Sequence, residues 1–181
     1  MSNNSQLYDA KAKGAPDDEL DRLLSSGRYI VPLFWLASAT NDHLLTGKRD
    51  GEKITYLEIP LDSALATFKS RASALSSIAA GISEHFDAWL SLLSEVSGGY
   101  LKIDPTEVLD MAGTDPSEIS LAVGFFDKPS VPAFKALLSL TCLTDVIEGF
   151  PSRLRHTAVI GGVEGSTPVS SYLLGSAESP I

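Results

Sequence analysis

The hydrophobic period of the chain changes at Pro60, and this change is the strongest constraint on the fold. The segment KITYLEI, residues 53–59, is rich in β-branched and aromatic residues and predicts a strand that Pro60 ends. From Leu61 onward, apolar residues recur at alternating spacings of four and three, which is the pattern of an amphipathic helix. Gly81 ends this helix, and a second apolar stripe runs from Ile82 towards the Gly98-Gly99 pair.

Two adjoining amphipathic helices predict a shared helical layer. Residues on their apolar stripes should meet in one core, because each helix must bury that face against another element. The predicted members of this core are Phe68, Leu75, Phe86, Trp89 and Leu93.

The remaining patterns predict short elements of both types. Proline after Asp, glycine stops and apolar spacing predict helices at residues 16–25, 105–111, 116–125 and 131–143. Short β-like runs are expected at residues 100–103, in TAVIGGV and in SYLLG near the end of the chain, while residues 41–52 read as a loop leading to a turn at Asp50-Gly51. The apolar run 29–39 is predicted to be buried, extended at Ile30 and Val31 and helical from Pro32.

These elements predict an α+β fold, a helix-dominated single domain with a small β-sheet. A chain of 181 residues that is 44% apolar has the size and composition of one domain. Residues 1–15 lack periodicity and are expected to be loose or extended, with the globular domain spanning 16–181.

Composition indicates a cytoplasmic protein without a membrane partner. The longest nearly apolar run, residues 29–39, is shorter than the roughly 20 residues of a membrane-spanning helix. The polar amino terminus lacks the apolar stretch of a secretory signal. A lone cysteine, Cys142, cannot form an internal disulfide, which agrees with a reducing compartment.

The formal net charge of −9 is concentrated in one part of the chain. Residues 101–150 carry eight acidic and three basic side chains, a balance of −5. A surface of this sign repels phosphate backbones and attracts basic partners. Nucleic acid is therefore not expected as a partner, whereas a basic protein is.

Four of those acids belong to a repeated motif, DPTE at residues 104–107 and DPSE at residues 115–118. Asp as a cap, Pro at the first helical position and Glu three residues after the cap predict two helix starts with capping boxes. Neither copy has oxygen ligands at alternate positions around a glycine, as a calcium loop requires. The motif predicts no metal and no catalytic carboxylate pair.

For the other residues that could carry chemistry, a structural role is the better interpretation. Cys142 lies on the apolar stripe of its predicted helix, where cysteine packs as a small hydrophobe. His43, His85 and His156 lack metal-binding spacing, and no nucleophile elbow G-x-S-x-G occurs. The run GGVEGS, residues 161–166, matches neither phosphate-binding glycine motif and predicts a turn beside a strand. No catalytic residue and no cofactor is predicted.

The order of several segments resembles a known group of proteins. A polar start (SNNSQLYD) is followed by YIVPLFWLAS, by a strand and long helix (KITYLEIP-LDSALATF), by GYLKIDPTEVLDM and by a closing SYLLG. This order is similar to that of small cytosolic immunity proteins of bacterial toxin-delivery systems. The resemblance implies an inhibitor that neutralises a cognate toxin by binding it, and it carries no specific functional residue.

Two functional hypotheses follow from the sequence. The first is a non-enzymatic protein-binding module that occludes a basic toxin or enzyme through an acidic face, with Glu107, Asp110, Glu118 and Asp127 as the partner-binding residues. The alternative is a small cytosolic hydrolase or transferase built from loops around the three histidines. An enzyme needs a cleft with convergent polar groups, whereas a binder needs a broad charged surface.

Overall fold

A five-stranded antiparallel sheet organises the computed structural model, which describes residues 3–78, 81–142, 158–160, 163–167 and 169–176. Its strands lie in the order β2-β1-β5-β4-β3. Their bounds are β1 Asn4–Ala10, β2 Arg22–Arg28, β3 Leu44–Arg49, β4 Glu52–Pro60 and β5 Tyr100–Asp104. A separate two-stranded hairpin consists of β6 Ala158–Ile160 and β7 Val163–Thr167.

Helices fill most of the remaining described chain. They are α1 Leu33–Ala37, α2 Leu61–Ile78, α3 Phe86–Ser94, α4 Thr106–Ala112, α5 Ser117–Gly124, α6 Val131–Thr141 and α7 Val169–Leu174. Short 3-10 turns at Asn41–His43 and Ile82–His85 precede β3 and α3. The α+β class predicted from the sequence is confirmed.

The strand β1 lies inside the sheet rather than in a loose amino-terminal segment. It pairs with β2 on one side and with β5 on the other. Of the two expectations for residues 1–15, the extended one describes Asn4–Ala10. Nothing in the local sequence marks this strand, because its hydrogen-bond partners lie far away in the chain.

The predicted helix at residues 16–25 is wrong, because the second half of this segment forms β2. The acids expected in the first helical turn form a tight turn instead: the Asp17 carboxylate accepts from Glu19 N–H at 2.8 Å. Strand β2 then aligns Arg22 opposite Asp9 and Leu23 opposite Tyr8. Pairing with β1 satisfies the backbone groups that a helix would have satisfied internally.

Two further predictions are corrected. Residues 41–52 were expected to be a loop, yet they contain β3, which pairs with β4 over its whole length. The turn at Asp50-Gly51 is confirmed, with φ values of 53° and 85°. The SYLLG segment was expected to be β-like, but Val169–Leu174 is helical and places Tyr172 and Leu173 in the core.

One face of the sheet packs against the helices. Alternate residues of the three central strands point to this side, including Leu7, Leu57 and Ile103, all fully buried. The predicted two-helix core is confirmed: Phe68, Leu75, Trp89 and Leu93 are buried, and Phe86 packs against them partly buried. The apolar period of α2 and α3 therefore predicted this layer correctly.

The opposite face of the sheet is charged and lies under the β1–β2 loop, residues 11–21. Lys102 Nζ donates to the Asp21 carboxylate at 2.8 Å, and both side chains are only 3% exposed. Gly14 N–H donates to Glu58 at 2.6 Å, and the Tyr8 hydroxyl donates to Asp18. Burial and the Asp18 carboxylate raise the pKa of Tyr8, so its hydroxyl stays a donor. These contacts hold the loop on the sheet.

The repeated DP[ST]E motif starts helices α4 and α5, but without the predicted capping boxes. Asp104 accepts from Thr106 N–H at 3.0 Å, and Asp115 accepts from Ser117 N–H at 2.8 Å. Glu107 does not return to the backbone of Asp104. It accepts from Asn4 N–H at 2.9 Å and so ties α4 to the start of β1.

The two aspartates differ sharply in environment, which predicts different effects of mutation. Asp104 is 2% exposed and pairs with Arg49, whereas Asp115 is exposed. We expect Asp104→Ala to lower the free energy of unfolding by about 3 kcal/mol, because it removes a buried charge pair and leaves a partly buried guanidinium without its charged partner. The loss for Asp115→Ala should be clearly smaller. Urea denaturation of both variants measures the difference, and equal losses would contradict this account.

The aromatic centre of the helical layer gives a second prediction. The indole of Trp89 is fully buried, contacts the Phe68 ring at 6.3 Å between centroids and donates to Ser38 Oγ at 3.1 Å. Trp89→Ala should therefore lower the free energy of unfolding by about 3 to 5 kcal/mol. Asp87→Ala, an exposed change on the same helix, is the control and should stay within about 0.5 kcal/mol of the unmodified protein.

Candidate functional site

The four predicted partner-binding acids do not form one compact group. Glu107 and Asp110 lie on α4, and both are exposed. Glu118 lies in the first turn of α5, and Asp127 follows the end of that helix. The structure thus divides them between α4 and the hairpin formed by α5 and α6.

The α5–α6 hairpin, residues 117–141, is surrounded by three surface clefts. The first, of about 540 Å³, is lined by Gly113, Thr114, Asp115, Glu118, Leu121, Pro132, Lys135, Ala136 and Ser139. The second, of about 490 Å³, is lined by Asn41, Ser120, Leu121, Gly124, Asp127, Lys128, Pro129, Ser130 and Ala133. Leu121 lines both clefts, so Glu118 and Asp127 lie on either side of it.

The third cleft is apolar. Its volume is about 730 Å³, and its lining consists of Ser77, Ile78, Phe125, Pro129, Ser130, Val131, Phe134, Lys135 and Leu138. Large apolar side chains are exposed along the hairpin, with Leu121 at 40% and Val131 at 69%. The hairpin therefore combines exposed apolar groups with neighbouring carboxylates.

Local sequence explains how the hairpin is built. Gly113 adopts a left-handed conformation, φ 59°, which ends α4 and turns the chain towards α5. The Ser130 hydroxyl caps α6 by accepting from Ala133 N–H at 3.2 Å, and Pro132 lies in its first turn. The inner faces of both helices, including Ile119 and Leu137, are buried in the core.

Asp127 has a structural partner that the sequence did not reveal. Arg71 of α2 is 5% exposed and donates to both Asp127 carboxylate oxygens, at 3.1 and 3.2 Å. The same guanidinium donates to the carbonyls of Ala37 and Ala39 and lies 4.9 Å from the centre of the Phe126 ring. Asp127 thus attaches the loop between α5 and α6 to the body of the domain.

A signal for this contact was present in the sequence. Arg71 lies three residues after Phe68 and four before Leu75, within the apolar stripe of α2. A charged residue at such a position must find a partner when the stripe is buried. The sequence could therefore have identified Arg71 as buried and paired, although not the residue that pairs with it.

The first cleft contains a carboxyl with a lowered pKa. The backbone N–H of Ser117 donates to Asp115 and lowers the pKa of that carboxyl below its usual value. Glu118 lines the same cleft, opposed by a single cation, Lys135. The cleft therefore presents two carboxylates and one ammonium group.

Two of the three histidines, His43 and His85, lie within the described residues. His43 Nδ1 accepts from Thr40 N–H at 3.0 Å, and burial lowers the pKa of this imidazole. His85 Nε2 is buried at the start of α3, whereas His156, with Arg153 and Arg155, lies outside the described residues. Within the ranges that the structure covers, no three His, Cys, Asp or Glu side chains cluster closely enough to hold a metal ion.

The sequence offered two further candidates, Cys142 and the GGVEGS run. Cys142 follows the last residue of α6 in a left-handed conformation, φ 51°, and packs partly buried against the core. Of the GGVEGS run, Val163–Thr167 forms β7, whereas residues 161 and 162 lie outside the described part. Among the described helices, none combines the length and the hydrophobicity needed to cross a membrane.

Comparisons of the chain with known protein families, with curated proteins and with solved structures found no match.

The Arg71 contact predicts that Asp127 contributes to stability. Asp127→Ala removes the only carboxylate paired with Arg71 in the described structure, and we expect it to lower the free energy of unfolding by about 1 kcal/mol. Glu118→Ala, also on the hairpin but outside every described ion pair, should change it by less than about 0.5 kcal/mol. Thermal and urea unfolding of both variants test this. A larger loss at Glu118 would contradict the assigned roles.

Proposed function

We propose that the chain is a non-enzymatic binding protein, an immunity-type inhibitor that neutralises a basic toxin or enzyme in the cytoplasm by occluding it. The observation that carries the proposal is the α5–α6 hairpin, where exposed Leu121 lies between the cleft of Asp115 and Glu118 and the cleft of Asp127, and exposed Val131 lines the apolar third cleft. The basic partner docks on this hairpin.

The composition of the surface supports a protein partner. Protein interfaces combine an apolar centre with a polar and charged rim. Leu121 supplies the apolar contact between two shallow clefts, and Asp115 and Glu118 supply the charged rim. Val131 and Phe134 extend the apolar area into the third cleft.

Charge supports a basic partner. The exposed carboxylates of Glu107 and Asp110 on α4 add to the field of the hairpin, although they line none of its three clefts. Such charges raise the association rate of an oppositely charged protein, because they act before contact is made. Apolar contacts at Leu121 then set the dissociation rate.

The order of segments in the sequence is consistent with this proposal, since immunity proteins inhibit by binding. A partner can be obtained by capturing proteins from the native cell on the immobilised chain and by expressing the product of the adjacent reading frame. Neutralisation is then measured directly, as growth of cells that express the partner with and without this chain.

Charge reversal tests the acidic face. The variant Glu107→Lys, Asp110→Lys, Glu118→Lys should associate with the basic partner at least about tenfold more slowly at low salt and should lose most of the salt dependence of the rate. The control variant Asp62→Lys, Glu84→Lys, Asp87→Lys makes the same change in net charge at exposed sites of α2, the adjoining 3-10 turn and α3. Stopped-flow or surface plasmon resonance at two salt concentrations gives the rates.

A second arm tests the apolar centre. Leu121→Asp should raise the dissociation rate while leaving folding intact, because this side chain is exposed. The proposal fails if the partner binds both variants with native kinetics, or if the partner that co-purifies is acidic.

A further inference from the structure

The two edge strands of the five-stranded sheet, β2 and β3, differ in whether a further described segment pairs with them. At the β2 edge, Ser26 N–H donates to the Ser176 carbonyl at 2.9 Å and Ser176 N–H donates back at 2.7 Å. The segment after α7 thus pairs with that edge at Ser26. At the other edge, β3 pairs with β4 alone among the described residues, and its outer side has no backbone partner there.

The hairpin turn defines which backbone groups of β3 face outward. Asp50 and Gly51 both have positive φ and connect Arg49 directly to its partner Glu52, as in a two-residue type I′ hairpin. The residues that flank such a turn form a hydrogen-bonded pair, and pairs alternate from there along the ladder. The N–H and C=O groups of Thr46 and Lys48 therefore point away from β4, towards the open edge.

Of the usual devices against strand addition, the described part of this edge carries a charged side chain, Lys48. Proteins blunt edge strands with proline, bulges, a covering segment or charged residues, lysine above all. Strand β3 has the sequence LLTGKR, without proline, and its register with β4 runs without a shift over six residues. Of its side chains, Leu45 is 38% exposed and Lys48 is exposed.

The charges at the edge indicate the chemistry of what it binds. Lys48 lies directly opposite Lys53 in a pair that is not hydrogen-bonded, where side chains are closest and like charges repel. Neither lysine belongs to an ion pair of the described structure. Glu52 belongs to the opposite face of the hairpin, beside Arg49. The β1–β2 loop acids Asp17, Asp18 and Glu19 line a cleft with Lys48 and Arg49, but the loop covers that same opposite face, where Asp18 meets Tyr8.

We propose that the open edge of β3 binds an extended segment of a partner protein as a sixth, antiparallel strand. An acidic side chain of that segment lies beside Lys48 and Lys53, and an apolar one covers Leu45. The backbone groups of Thr46 and Lys48 supply the hydrogen bonds. This surface is separate from the α5–α6 hairpin, and its partner has the opposite charge.

A defined peptide tests the proposal. The probe is acetyl-Ser-Glu-Thr-Thr-Val-Val-Ser-amide, whose glutamate aligns with Lys48 and whose first valine aligns with Leu45 in antiparallel register. Titration to about 1 mM is followed by amide chemical shifts, because a single added strand binds weakly. We expect saturable shifts at residues 44–48, and about fivefold weaker binding when lysine replaces the glutamate.

Two variants locate the contact. Thr46→Pro removes an outward N–H at a position where an edge strand tolerates proline, and it should weaken binding at least tenfold. Thr46→Val keeps the N–H and is the matched control. In the variant Lys48→Glu, Lys53→Glu the preference should invert, so that the lysine peptide binds more tightly; this readout does not depend on the proline variant folding.

Other results would overturn the proposal. These are absence of shifts at residues 44–48, equal binding of the two peptides, or unchanged binding by Thr46→Pro. Sedimentation without peptide provides a further check. A dimer that Thr46→Pro abolishes would assign the edge to a second copy of the chain and refute the acidic partner.

Discussion

The buried ion pair between Lys102 and Asp21 determines how the two faces of the sheet differ. Both side chains are 3% exposed, so neither charge is stabilised by water. Lys102 lies at the middle of β5, and Asp21 ends the β1–β2 loop. If the loop left the sheet, each charge would lose its partner, and the polar groups of Tyr8 and Glu58 would lose theirs. One face therefore packs against the helices through apolar contacts, while the β1–β2 loop covers the other face through charged and polar contacts.

The parts of this fold that the sequence predicted are those specified by local pattern. The change of period at Pro60 located β4 and α2, and the apolar stripes predicted the core around Phe68 and Trp89. Strands β1, β2 and β3 were missed or misassigned. Their stability comes from partners elsewhere in the chain: β1 pairs with β5, nearly one hundred residues later, and Arg22 aligns with Asp9 across the sheet. The β-propensity of a segment depends on its own residues, so it cannot indicate pairing with a distant strand.

The same limit applies to the candidate site. Charge counting identified the acidic segment, but it treated its carboxylates as equivalent. The fold separates them: Asp104 is buried against Arg49, Glu107 accepts from the start of β1, and Asp127 is paired with Arg71. Asp110, Asp115 and Glu118 take part in no described ion pair. A carboxylate already paired with a cation adds little to the field that a distant partner experiences. These three contribute most to steering, together with Glu107, whose described partner is the uncharged Asn4 N–H.

The role of Asp127 also follows from this division. Its carboxylate attaches the loop between α5 and α6 to Arg71, and the other donors of Arg71 hold the carbonyls at the end of α1. The loop carries Pro129 and Ser130, which line both the second cleft and the apolar third cleft. A rigid surface loses less conformational entropy when a partner binds than a flexible one does. Asp127, which the sequence assigned to partner contact, therefore has a structural role: it holds the loop whose Pro129 and Ser130 line the second and third clefts.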